Sequence, residues 1–360
     1  VVNWGIGALV CCCGSSSMVG AWEQGFQPEE SAPPPAPPVV ERESVVGPAS
    51  YRPFGLVSAP YDVGPITGEE QLYIEFINRA RRDPLEEGLR LQAVSDPDVL
   101  GAVNFFNTDL NVVLGDPEVG FAALGPAQPL APNAALRRAA LGHSQEMFLN
   151  TYQGHDGPEG DSVSERAQDQ GYSFRRLGEN VFSSARSVFH GHAGFQIDWG
   201  FGPNGIQDPP GHRNTIHNGL MREIGVGVFL GSKDEVPSNN PFFGHLTMDV
   251  GPQLVTQVLG SQLQDDRAFV TGVAYYDLND NAFYDVGEGI EGLTVVVAGA
   301  PDHGVTAPSG GYAVPVPLDG TYLVETKEVA EGVDIEDCIE SVGEAVKQHM
   351  RNEFTQERDD

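Results

Sequence analysis

The hydrophobic period of this chain changes once, just after His212, and that change limits the folds open to it. Before it, apolar residues recur at helical spacing; after it they alternate. T-G-E-E-Q-L-Y-I-E-F-I-N-R-A-R-R-D-P puts Leu72, Phe76, Ile77 and Ala80 on one helical face, with Thr67 and Glu70 in capping-box spacing and Pro84 as the stop. A second helix is predicted from Asn133, with Leu136, Ala140, His143 and Met147 in its apolar stripe. His143 then reads as a core histidine with one hydrogen-bond partner. A short helix covers Ser164 to Gln170. Another, from about Ala185 to Trp199, sets Val188, His192, Phe195 and Trp199 on one side, with Asp198 near that edge. Then E-I-G-V-G-V-F-L alternates through Val226, Val228 and Leu230, and Gly244 to Val250 supplies another strand. Helices and hairpins facing each other predict an α+β organisation. Residues 85–130, with several Asp-Pro and Gly-Pro turns, read as a loosely patterned insertion.

Near Gly260 a second unit begins. F-V-T-G-V-A-Y-Y-D, L-T-V-V-V-A, G-Y-A-V-P-V and T-Y-L-V-E-T are short strands separated by Gly, Asp and Pro turns, the pattern of a small C-terminal β-sandwich. Between its first two strands, D-L-N-D-N-A-F-Y-D-V-G-E offers oxygen ligands at Asp277, Asn279, Asn281, Asp285 and Glu288. The backbone carbonyl of Phe283 falls at position 7 of a twelve-residue calcium loop. Ala282 stands where that signature has Gly, which predicts a strained or differently shaped turn. The context of strands rather than paired helices argues against a helix–loop–helix sensor.

The ends of the chain are simpler. V-V-N-W-G-I-G-A-L-V is apolar and uncharged, too short to span a bilayer, and fits the core of a truncated secretion signal. The Cys11–Cys13 run before Ser-rich sequence also fits a bacterial lipoprotein signal, which would acylate Cys11 or a neighbour. With Cys338 the only other cysteine, no disulfide scaffold or zinc knuckle is available. The division expected is a signal-like or lipoprotein-like segment at 1–13, a Pro/Ser-rich linker at 14–66, a first domain at 67–258, a β-sandwich at 265–328 and an acidic, helix-prone tail at 329–360. With 51 acidic against 20 basic residues and a net charge of -31, nucleic acid and anionic membranes are excluded as partners.

Four polar residues sit in Gly-rich or aromatic contexts: His155 in G-H-D-G, Glu179 in G-E-N-V, Asp198 in F-Q-I-D-W-G and His212 in P-P-G-H-R-N. Two imidazoles and two carboxylates meeting in one cleft could hold zinc or another divalent metal, or share protons. Taken singly, each has a structural role open to it: an exposed loop histidine, a turn hydrogen-bonder, a helix-face charge, a partner to Arg213. A triad would need a nucleophile, and neither Ser144 nor Ser164 lies in a nucleophile elbow.

N-R-A-R-R-D-P, H-S-Q-E-M, G-H-D-G, E-R-A-Q-D-Q-G-Y, G-E-N-V-F, F-Q-I-D-W, P-G-H-R-N-T-I and E-I-G-V-G-V occur in an order that resembles the CAP superfamily, the SCP-like group of cysteine-rich secretory, antigen 5 and pathogenesis-related 1 proteins, over roughly residues 67 to 252. The resemblance implies an α-β-α sandwich whose cavity is lined by His155, Glu179, Asp198 and His212, in a protein secreted or held at the cell envelope or surface. Asp198 is one methylene shorter than the Glu common in eukaryotic relatives, which puts its direct metal contact in question. Three roles follow: a cleft that binds metal, a small molecule, a lipid or a cell-surface component; a metal-assisted hydrolase of peptide or ester bonds; or a calcium-rigidified adhesion module. Residues 269–326 are similar to the calcium-binding Ig-like B repeats of bacterial surface adhesins, carried by D-x-N-x-N-x-x-x-D-x-G-E and G-I-E-G-L-T-V-V-V.

Overall fold

The structure, a computed structural model, describes residues 2–6, 59–237, 247–263, 267–317, 322–327, 340–341 and 350–354. The Cys11–Cys13 run, most of the linker and Gly244 lie outside these residues. Of the acidic tail only Glu340–Ser341 and Met350–Phe354 are described, and both are strand where the composition leans to helix, because each pairs with another strand.

Helix α1 (Gly68–Arg82) starts as the sequence predicts, with Thr67 and Glu70 forming a reciprocal capping box. It stops at Asp83, whose side chain then caps α2 (Pro84–Gln92). The stretch read as an insertion of turns is largely helical. Asp96 caps α3 (Pro97–Phe106), with Pro97 in the first turn, and Asp109 caps α4 (Leu110–Gly115). Asp-Pro is as good a helix start as a turn, since proline's missing N–H is one no helix uses at its first position. Asp116-Pro117 does form a turn, with Asp116 accepting from the N–H groups of Glu118 and Val119.

After β1 (Ala131–Pro132), Asn133 caps α5 (Ala134–Asn150). Then come α6 (Val163–Asp169), β2 (Phe174–Ala185), α7 (Val188–Ile197), α8 (Gly211–Ile216) and β3 (Glu223–Leu230). A hairpin of β4 (Lys233–Pro237) and β5 (Thr247–Val250) leads to β6 (Gln253–Gln262). The central sheet runs β1-β3-β6-β2, so β2 is an edge strand. Alternation along β6 builds the three layers: Val255 and Leu259 join Ile74, Ile77 and Phe195 of α1 and α7, while Val258 joins Leu136, Ala140 and Ala167 of α5 and α6. The glycines of E-I-G-V-G-V explain how close α5 lies. A Cβ on Gly225 would come within 2.0 Å of the Leu136 carbonyl carbon, and one on Gly227 within 2.1 Å of the Leu141 nitrogen. This is the α-β-α sandwich the sequence implies.

The C-terminal unit pairs β7 (Ala268–Val273) with β10 (Gly311–Val316), and β8 (Thr294–Val297) with both β9 (His303–Val305) and β11 (Leu323–Lys327). Val270, Val295, Val297, Tyr312 and Val314 fill the space between the two sheets. It does not hang free. Phe269, Ala307 and Ala313 belong to the same buried cluster as Tyr73 and Ile74 of α1, and Phe283 stacks on Phe76 at 5.4 Å and 14°. The Arg79 guanidinium lies over both rings.

Candidate functional site: two imidazole–carboxylate pairs beside β2

His155 lies in the turn between α5 and α6, and its Nδ1 is 3.0 Å from Glu179 Oε1. Glu179 projects from β2 toward α6, where Arg166 donates to its Oε2 at 2.7 Å. Arg166 also donates to the His155 carbonyl at 2.9 Å, so one guanidinium holds both members of the pair. The Glu179 side chain is 2% exposed and that of His155 57%. The carboxylate is thus fixed and the ring is presented to solvent.

The second pair is built differently. Asp198 is not a charge on the face of α7, as the periodicity suggests; it is the C-cap, in the left-handed region at φ 59 and ψ 44. Asp is among the few residues that enter that region readily. The turn aims its carboxylate at the start of α8, where Pro210 at the cap position has no side chain able to accept. Asp198 Oδ2 accepts from the backbone N–H of His212 at 2.8 Å and of Arg213 at 3.3 Å, and Oδ1 lies 2.7 Å from His212 Nδ1. It therefore caps α8 from another element and orients its imidazole at once. Arg213, fully buried, locks the same corner by donating to the carbonyls of Gln196 and Ile197.

Asn180, next to Glu179, donates to the His212 carbonyl at 3.4 Å and to Gln257 at 3.0 Å, while Gly178 leaves room for Thr215 of α8. All four sequence-predicted residues thus lie around this edge strand, joined as two pairs. Among the described residues, no group of three or more His, Cys, Asp or Glu side chains gathers on one point. The oxygens of Glu179 and Asp198 are committed to partners, and Nε2 is the ring nitrogen of each histidine not held by its carboxylate.

Other expectations resolve locally. His143 is buried, its Nε2 2.8 Å from the Gly154 carbonyl, with Glu146 3.4 Å from Nδ1. Ser144 donates into the Gly227 carbonyl at 2.8 Å and is fully buried, so it is not an accessible nucleophile. In the 277–288 loop, Asp277 accepts from the N–H of Asn281 and Ala282, and Glu288 from those of Leu278 and Asp285. Asn279 and Asn281 both donate to Asp285 at 2.7 Å. Ala282 adopts φ 58, the left-handed turn for which the signature has Gly.

Sequence reasoning missed the supports: Arg166, the capping role of Asp198, and a buried group made by Glu87, His192, Gln196 and His217. Only S-x-x-E-R around Ser162 carried a signal, since its capping box places Arg166 one turn into α6.

Among the described residues no helix is long and apolar enough to cross a membrane. No curated protein matches the chain. A solved structure titled an extracellular protein containing a SCP domain, from Bacillus anthracis str. Ames, is 19% identical over 46% of this chain and 40% of that one. Its TM-score is 0.27, a likeness too loose to bear on the fold, and this chain spans less than half of that protein. Residues 74–243 match the CAP family, described as the cysteine-rich secretory protein family. Over about these residues, the chain carries a CAP/SCP-like superfamily domain.

Proposed function

We propose that this CAP-domain protein is exported and binds a divalent metal, zinc in the first instance, or a small ligand at the β2 edge through Nε2 of His155 and His212. One observation carries the reading: in both pairs a carboxylate engages Nδ1 and fixes the ring, the arrangement that prepares an imidazole for a metal. Glu179 and Asp198 act as orienting groups rather than ligands, with Arg166 and the α8 amides holding them. A bound metal would supply Lewis acidity there. The CAP match and the acidity of the chain support a place outside the cell or at its envelope. Calorimetric zinc titration of the full chain tests the site. Saturable uptake that weakens at least about tenfold in both His155→Ala and His212→Ala is expected. Equal affinity in the two variants and the parent would sink it.

The 277–288 loop is read as a calcium site that stiffens the C-terminal unit, with Asp277, Asn279, Asn281, Asp285, Glu288 and the Phe283 carbonyl as ligands. The support is their spacing and the left-handed turn at Ala282. Millimolar calcium should raise the thermal midpoint, and Asp277→Ala should abolish the rise. Ala282→Gly should stabilise the chain by about 1 kcal/mol even without calcium, by relieving backbone strain.

A further inference from the structure

Strand β2 is an edge, and part of its main chain faces away from the sheet. The register shows which residues turn that way. Gly231 N–H donates to the Pro252 carbonyl at 3.0 Å, in step with the Leu230–Gln253 pair, so the even-numbered residues of β6 face β3. The odd-numbered ones face β2, which makes Gly178 with Leu259 and Asn180 with Gln257 the bonded pairs. Leu177 and Glu179 therefore direct their N–H and C=O groups outward. Ser183 lies on the same side and shows the direction: its N–H donates to Gln153 Oε1, and its carbonyl accepts from the Gly251 N–H. Among the described residues no group bonds the main chain of Leu177 or Glu179 on that side. Val181 turns the same way but is buried, which ends the open stretch. The open groups can be reached. The Glu179 side chain is 2% exposed while the residue as a whole is half-buried, so what it exposes is main chain. Gly178, half-buried too, has only main chain to expose.

Two donors and two acceptors alternate here over about 7 Å, the repeat of an extended chain. Another extended chain is the ligand that returns the same pattern. We propose that the open edge of β2 binds a peptide, which adds a strand at Leu177–Glu179 through main-chain bonds, beside the exposed His155 ring. A second copy of this chain is the poorer occupant, because each copy carries a net charge of -31. A proline-rich segment is poorer still, since it lacks the N–H groups the two carbonyls call for. The inference rests on the proposed function only in placing the ligand beside β2, and it needs no metal.

The probe is a pool of proline-free octapeptides passed over the immobilised full chain, with retained members read by mass spectrometry. Leu177→Pro removes one outward N–H and leaves the bonds to β6 in place, while Leu177→Ala loses the same side chain and keeps the amide. Affinity for retained peptides should fall about tenfold or more in Leu177→Pro and stay within about twofold of the parent in Leu177→Ala. Equal affinity in Leu177→Pro and the parent, or no retained peptide at all, overturns the proposal. The peptide side supplies a test that needs no variant to fold. Methylating every second amide nitrogen of a retained peptide leaves one edge intact and should preserve binding, whereas methylating every amide should abolish it; binding that survives full methylation overturns the proposal. Sedimentation of the parent should show a monomer, and a dimer lost in Leu177→Pro would give the edge to a second copy instead. Zinc titration of Leu177→Pro should match the parent, so a failed zinc site and a failed peptide site are told apart.

Discussion

His192 and Glu87 form an imidazole–carboxylate pair as His155 and Glu179 do, through Nε2 at 2.9 Å against Nδ1 at 3.0 Å, yet the two pairs cannot do the same work. Both side chains of the first pair are fully buried, and Glu87 is further held by two bonds from Arg79 and one from Arg90. Burial alone would push Glu87 up, but His192 and Arg79 outweigh it and hold the carboxyl well below its usual range. His192 stays neutral because desolvation dominates its titration. In the second pair the carboxylate is buried and the ring lies open. Under the proposed function, access to the far ring nitrogen, rather than imidazole–carboxylate chemistry itself, separates the two pairs.

The contrast can be broken most forcefully at Glu87. Glu87→Ala strands the fully buried His192 imidazole and takes the shared carboxylate from Arg79 and Arg90, and should cost about 3–5 kcal/mol in urea unfolding. Glu179→Ala leaves Arg166 its bonds to Asp161 and the His155 carbonyl and should cost about 1 kcal/mol. Equal losses would erase the distinction.

Acid should attack the buried group next. The folded-state values of His192 and His217 lie below the ordinary histidine range, so unfolding takes up protons as pH falls. Stability should be full above about pH 6.5 and fall toward pH 3. His217 contributes on the order of 4 kcal/mol to that loss, and Glu87 adds to it below its ordinary range. Unfolding midpoints at successive pH values, compared with those of His217→Gln, measure it; an unchanged pH slope would remove His217 as the cause.

Asp198→Asn sharpens the comparison at intermediate size. Asn accepts the left-handed backbone but removes the charge at the start of α8, a loss of about 1 kcal/mol, while zinc affinity should fall about 10- to 100-fold. The smallest effect is expected for His155→Ala, within about 0.5 kcal/mol in stability because its ring is mostly exposed, with its effect confined to ligand binding.

Much of this was legible because it is local. The capping boxes at Thr67 and Ser162, the Asn133 cap and the alternation of β3 are each written within a few residues. The four site residues were found from their Gly-rich settings and family resemblance, not from any spacing that could predict contact. The Asp-Pro steps of 85–130 misled because turn and helix start share one signal. Asp198 misled because a periodic pattern gives no sign that its last residue leaves the helix. Glu87 and His192 lie 105 positions apart, and neither segment announces the other.

The sequence alone determined where α1 and α5 begin, that β3 is a strand, that a run of short strands follows it, and which residues carry ligand-type atoms. These depend on short-range sterics and hydrophobic period. Tertiary structure decided which imidazoles are sealed and which are open, that Asp198 caps a helix it does not belong to, and that the C-terminal strands share a buried cluster with α1. Those outcomes rest on desolvation and on contacts between distant segments, and neither exists until the layers have closed.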